Sequence, residues 1–333
     1  MAQYDDFVDR GETRWLPYLM YYHRASYQSA VVNTDRLGFR YSHGPEFRAS
    51  VADRPQCESV NLFVGSSTAF GVGATSDAAT IPSRLWEEHA PARPWLNFGG
   101  RGFSSTQEVL LFLLNRQLLP PVRQIVVLSG LNNLALAGLP RYLQSDYGPF
   151  FFAGEYQAQM EELRQRHRQR GGGQGSRWGR RRQAPGPMER DESRPSLDQR
   201  LADAVTRTSR DLENWQLFAA ASNATVSFVL QPLASWVRPE PCQQERELFA
   251  ELDARQSTFW QLFGEIMPQQ VGRRYADELA AECGKQGIAF FDLNPALASA
   301  ADPQQWLFVD RAHFHDAGYD LVSRLIATAL DLV

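Results

Sequence analysis

The sequence predicts an α/β fold built on a mainly parallel, five-stranded sheet. Short apolar runs recur along the chain: Leu62-Phe63-Val64, Trp95-Leu96, Gln124 to Leu128, Thr225 to Leu230 and Ile288 to Asp292. Most end in a glycine-rich or polar turn, and stretches with helical spacing separate them. The runs are largely continuous rather than strictly alternating, as in strands covered on both faces. Strand–loop–helix units in succession read as βαβ repeats, which give a parallel sheet.

Composition narrows the class. A chain of 333 residues can bury a large core, as one elaborated domain or two. An apolar content of 43% and a charged content of 22% are those of an ordinary globular protein. The net charge of −4 argues against a general nucleic-acid binder. Cys57, Cys242 and Cys283 are too few and too scattered for a disulfide framework or a zinc site, and read as thiols in a reducing compartment. The first residues carry Asp5, Asp6, Asp9 and Glu12 with no apolar core of a signal peptide. No apolar run approaches the roughly 20 residues of a membrane span. The expectation is a cytoplasmic protein.

Residues 1–50 form an N-terminal extension, rich in aromatics from Tyr4 and Phe7 to Tyr41 and Phe47, expected as short helix and hairpin packed on the core. Packing is the commoner use of such aromatics, with substrate contact the alternative. Residues 51–333 form the main domain. Its first strand runs into Gly65-Ser66-Ser67-Thr68. A helix follows near residues 80–90, with Ile81, Leu85 and His89 on one face. The second strand ends at Asn97 and opens into the glycine-rich turn Asn97 to Ser105. Ser105 with Glu108 reads as a capping box opening a helix through about Gln117. The third strand ends in Ser129-Gly130-Leu131-Asn132-Asn133.

From Gly138 to Tyr156 the chain is loop-like and aromatic, suited to a lid or acyl-binding wall and equally to a structural role. Residues 164–195 are rich in Arg, Gly and Pro and read as a disordered insertion. A solvated linker is the ordinary meaning of such a basic run, and nucleic acid is not expected as a partner. A long helix at 197–222, the fourth strand, helices across 243–285 with a break near Pro268, the fifth strand and a last helix complete the chain.

Ser67 stands just past a buried strand, at the sheet edge where open α/β sheets carry ligands. A hydroxyl needs a base, a group orienting that base, and donors for the oxyanion. His313 follows Asp310 by three residues in the loop before the last helix. That spacing lets the carboxylate reach Nδ1–H while Nε2 faces a serine. Gly102 lies just before a helix N-terminus, where backbone N–H groups are free and the dipole favours negative charge.

Taken together, four short motifs resemble those of the SGNH/GDSL hydrolase family, in the family's order: Gly65-Ser66-Ser67-Thr68, Asn97 to Gly102, Gly130-Leu131-Asn132-Asn133 and Asp310-Arg311-Ala312-His313. The resemblance covers about residues 58–133 and 287–330. It implies a three-layer α/β/α sandwich of the flavodoxin-like type. It also implies a serine esterase in which Ser67 is the nucleophile, His313 the base and Asp310 its orienting acid. Ser67 and Gly102 would give backbone N–H groups, and Asn132 its side-chain amide, to the oxyanion. Ser66 and Asn133 stand where the family often has Asp. Two adjacent serines leave a choice of nucleophile, and third place in the block favours Ser67.

The substrate implied is an acyl ester of a small molecule or glycan, an acetyl ester among them, with no cofactor and no metal. Two other readings stand beside the esterase: an O-acyltransferase using the same triad, and a binding module that keeps the fold without turnover. The Lys-Ser/Thr of a phosphate-binding loop, the third glycine of a dinucleotide fingerprint and a Gly-x-Ser-x-Gly elbow are all missing from the sequence.

Overall fold

The structure is a computed structural model, which describes residues 14–171, 191–255 and 259–332. Two short hairpins come first: β1 (Arg14–Leu16) with β2 (Met20–Tyr22), and β3 (Ser42–His43) with β4 (Arg48–Ala49). The main sheet contains β5 (Val60–Gly65), β6 (Trp95–Gly99), β7 (Val122–Ser129), β8 (Thr225–Leu230) and β9 (Ala289–Asp292). It is parallel throughout, in the order β6-β5-β7-β8-β9.

In chain order the helices are α1 (Ser67–Phe70), α2 (Ile81–Arg84, continued by a π turn to His89), α3 (Ser105–Asn115), α4 (Leu131–Leu136), α5 (Ala153–Gly171) and α6 (Leu197–Ser222). Then come α7 (Ala234–Val237), α8 (Gln243–Asp253), α9 (Phe259–Phe263), α10 (Gln269–Gln286), α11 (Leu293–Ala300) and α12 (Asp316–Ala329). Helix α6 packs against α3 and α10, and α12 packs against α2 and α11. The result is a three-layer α/β/α sandwich. Its strand order is the flavodoxin-like one: the chain steps from β5 to one side and then the other, leaving a crevice at the C-terminal end of β5.

The strands form because their residues can be buried on both faces. Leu62, Phe63, Ile125, Val126, Phe228 and Val229 are all fully buried, whereas β9 at the edge is partly exposed. Gly65, the last residue of β5, must be glycine, because a Cβ there would lie 2.1 Å from the Leu128 carbonyl oxygen of the neighbouring strand.

Three expectations change. Residues 14–50 contain strands and turns and no helix; Tyr4 and Phe7 lie outside the described residues. The capping box sits one residue earlier, with the Ser104 N–H donating to Gln107 Oε1 at 3.1 Å. Ser105 and Glu108 instead turn inward to buried partners. The expected disordered insertion at 164–195 begins inside α5, so residues 164–171 are helical. Glu162 and Arg166, an i,i+4 ion pair at 2.5 Å, show how a polar stretch supports that helix. Residues 191–193 are exposed and pair with the 141–142 turn, where the Ser193 and Asp191 carbonyls accept the Arg141 and Tyr142 N–H groups. Residues 172–190 lie outside the described residues. Among the described residues no helix is long and apolar enough to cross a membrane.

Candidate active site

Ser67 is the first residue of α1, directly beyond β5. Its partner arrives from the far end of the chain. Residues 309–313 form a tight loop closed by the Val309 N–H donating to the His313 carbonyl at 2.9 Å. Phe308 and Phe314 bridge its base, both fully buried with ring centroids 4.6 Å apart. Inside the loop, Asp310 Oδ1 accepts the N–H groups of Ala312 and His313, each at 2.8 Å. This is the local turn that Asp side chains favour. It leaves the carboxylate facing the imidazole, with Oδ2 2.7 Å and Oδ1 3.0 Å from His313 Nδ1. His313 Nε2 lies 2.6 Å from Ser67 Oγ.

A carboxylate can only accept, so Nδ1 carries the proton and Nε2 accepts from the serine hydroxyl. Burial pushes the Asp310 carboxyl up, but the electrostatic attraction of the His313 ring and three hydrogen bonds, from that ring and from the Ala312 and His313 N–H groups, outweigh it, leaving it below its usual range. Asp310 is therefore ionised at neutral pH. The structure thus joins the three residues in one chain of contacts, as the Asp-x-x-His spacing allows.

Ser66 is elsewhere engaged. It is 1% exposed, and its hydroxyl donates to Gln231 Oε1 at 2.8 Å. Gln231 Nε2 donates to Thr68 Oγ1 at 2.8 Å, and Thr68 donates to the Ala312 carbonyl at 3.1 Å. This buried chain ties the serine turn to the histidine loop. Gln231, just past β8 at the same sheet edge, was not singled out from sequence, although its place after a strand was a usable signal.

Gly102 and Asn132 occupy the adjoining turns. The Gly100 N–H donates to the Gly65 carbonyl at 2.9 Å, tying the glycine-rich turn to the strand end before Ser67. Asn132 Nδ2 donates to the Phe103 carbonyl at 2.8 Å, next to Gly102. Gly102 itself has φ +69°, a conformation that suits glycine, and a Cβ there would stand 2.9 Å from the Tyr21 hydroxyl. Phe151, from the aromatic stretch, lies 3.5 Å from that same point.

Beneath these turns lies a buried polar network. Asn133 Oδ1 accepts the Ser105 N–H at 3.0 Å, while its Nδ2 donates to Ser105 Oγ and Thr208 Oγ1 at 2.6 and 2.7 Å. Ser105 in turn donates to Asp211 at 2.5 Å. An amide at 133 supplies donors that an aspartate would lack so close to Asp211. Glu108 is fully buried and accepts from Ser129 at 2.8 Å. Burial, with Asp211 adding to it against the Ser129 bond, pushes its carboxyl up to about 8.

No family model matches the chain, and no curated protein matches it. Solved structures do. A member of the lipolytic protein G-D-S-L family from Veillonella parvula is 14% identical, over 81% of this chain and 96% of that one, with a TM-score of 0.42. A lipase/acylhydrolase from Enterococcus faecalis is 13% identical over 82% and 95%, with a TM-score of 0.41. A carbohydrate acetylesterase from Sinorhizobium meliloti is 10% identical over 83% and 99%, with a TM-score of 0.46. These likenesses are remote, and the geometry of the site stands independently of them.

Proposed function

We propose that the chain is a serine esterase of the SGNH/GDSL type, hydrolysing an acyl ester of a small molecule or glycan through an acyl-enzyme. The observation that carries this reading is the unbroken path from Asp310 through His313 to Ser67, 2.7 and 2.6 Å at its two links. In the proposed reaction His313 Nε2 takes the Ser67 proton as Oγ attacks the ester carbonyl. Asp310 holds the ring and stabilises the imidazolium. The oxyanion is met by the N–H groups of Ser67 and Gly102 and the Asn132 side chain. Each such donor is worth about 3 kcal/mol in the transition state. His313 then protonates the departing alcohol, and water attacks the acyl-enzyme by the reverse route.

On this reading residues 1–50 are an extension of a catalytic domain that spans 51–333 and is interrupted near 164–195. Three thiols, none bonded to another, suit a reducing cytoplasm. The nearness of Phe151 to Gly102 favours one second reading, acyl transfer to an alcohol, since an aromatic wall there would exclude water.

A chromogenic acetyl ester, offered with and without a competing alcohol, tests both. Release of acetate alone supports the esterase, and a new ester supports the transferase. A folded protein that turns over no acyl ester, short or long, sinks the proposal and leaves the binding module.

A further inference from the structure

We infer that Tyr21 and His23, from the N-terminal segment, are positioning residues that hold the Gly102 turn at its working distance from Ser67. The inference rests on the proposed esterase chemistry. An oxyanion donor must stand about 2.7–3.1 Å from the place where the charge develops, so the turn that carries it has little freedom to drift.

The donor in question is the N–H of the Arg101–Gly102 peptide. The groups on either side of that peptide are both taken by the N-terminal segment. On one side the Arg101 N–H donates to His23 Nε2 at 3.0 Å. On the other, the Tyr21 hydroxyl donates to the Gly102 carbonyl at 2.7 Å. Residues 101 and 102 are thus pinned from outside, while the Phe103 N–H closes the turn on the Gly100 carbonyl at 3.0 Å.

Both clamping groups are fixed in the state the contact needs. His23 Nδ1 lies 3.2 Å from the Gly38 carbonyl, which can only accept, so Nδ1 carries the proton and Nε2 is left as an acceptor. Burial holds the imidazole neutral and keeps the Tyr21 phenol protonated. His23 is 3% and Tyr21 4% exposed.

The segment is itself latched to α3. Gln107 Nε2 donates to the Leu19 carbonyl at 2.8 Å. On either side of Leu19, Tyr18 and Met20 both have φ +71°, a region costly for non-glycine residues. Two strained residues in one short turn are a cost that the contacts holding this segment, the Gln107 bond among them, must offset.

The test uses the full chain and a chromogenic acyl ester. Tyr21→Phe removes one hydroxyl and leaves the ring. It is expected to lower kcat about 10- to 100-fold, with KM within about 2-fold and an unchanged unfolding midpoint. The rate of Ser67 modification by an arylphosphonate, whose tetrahedral oxygen needs the same donors, falls with kcat. His23→Leu is expected to lose a similar factor, and His23→Gln, which restores an acceptor, to recover most of it. Tyr21→Phe with wild-type kcat overturns the inference. Should Tyr21→Phe lower the unfolding midpoint, the His23 pair decides: equal kcat in His23→Gln and His23→Leu overturns it. Full activity in Ser67→Ala brings down the esterase reading and this inference with it. An inactive Ser67→Ala beside a fully active Tyr21→Phe removes the clamp alone.

Discussion

The Asp310–His313 arm and the Gly102–Asn132 side of the site are held by different kinds of contact. The arm is local. Four consecutive residues supply the carboxylate, the imidazole and the two N–H groups that orient them. The Gly102 side is assembled from afar. Tyr21 is 81 residues from Gly102 in sequence, and Asn133 is 75 from Thr208. The Asn132 turn is braced in the same way, by the Tyr275 hydroxyl donating to the Gly130 carbonyl at 3.0 Å across 145 residues. A local turn keeps its shape once its own few bonds form. A turn braced by distant groups depends on the whole fold being correctly closed. Damage to the arm should therefore remove chemistry without touching stability, whereas damage to the buried polar network under the other side should register in stability as well.

The largest expected effect is on the arm. On the proposed mechanism, in which His313 is the base for Ser67, His313→Ala should lower kcat by at least about 10⁴-fold, because base and nucleophile act as a unit. The His313 ring is partly exposed, so the urea midpoint should stay close to wild type. A variant that instead unfolds would make the histidine a structural residue and erase the contrast.

The polar network under the other side should answer to pH. In the folded chain the Glu108 carboxyl titrates at about 8, above its ordinary value of 4.5. The folded chain therefore keeps a proton that the unfolded chain releases, and stability falls as pH rises through this window. A tenfold change in proton affinity is worth about 1.4 kcal/mol. Glu108→Gln keeps the acceptor for Ser129 and removes the titration. Its urea midpoints between pH 5 and 9 should decline less than those of wild type. Parallel slopes in the two proteins would place the pH dependence elsewhere.

A smaller effect separates the two adjacent serines. Ser66→Ala leaves Gln231 Oε1 without its buried donor, which costs about 1–3 kcal/mol. Ester turnover should persist, measured at a temperature where the variant is folded. Loss of all turnover in a folded Ser66→Ala protein would move the nucleophile one residue back.

The same contrast explains what could be read from the sequence. The five strands were visible because buried parallel strands spell themselves as apolar runs, and α6 and β8 have the expected ends, 197–222 and 225–230. Asp310 and His313 were visible because their three-residue spacing lies within one loop and resembles the closing motif of the SGNH/GDSL family. Tyr21 and His23 were not, because a hydroxyl or an imidazole aimed at a carbonyl or an N–H far along the chain leaves no local pattern, and Gln231 had only its place after a strand to mark it. Glu108 was misread for a related reason: three residues after a serine it imitates a capping residue, and only the packing of α3 on the sheet shows that it is buried. The N-terminal aromatics likewise look like packing in sequence, and Tyr21 does pack, edge-on to Phe103 at 5.7 Å, while its hydroxyl does something the ring does not reveal.

The central claim is that one hydroxyl, that of Ser67, is activated by His313. The most direct measurement is to treat the folded protein with a serine-reactive fluorophosphonate and map the adduct by mass spectrometry. The account predicts a single adduct on Ser67, absent from Ser67→Ala and strongly slowed in His313→Ala. An adduct on Ser66, or equal labelling of wild type and His313→Ala, would contradict it.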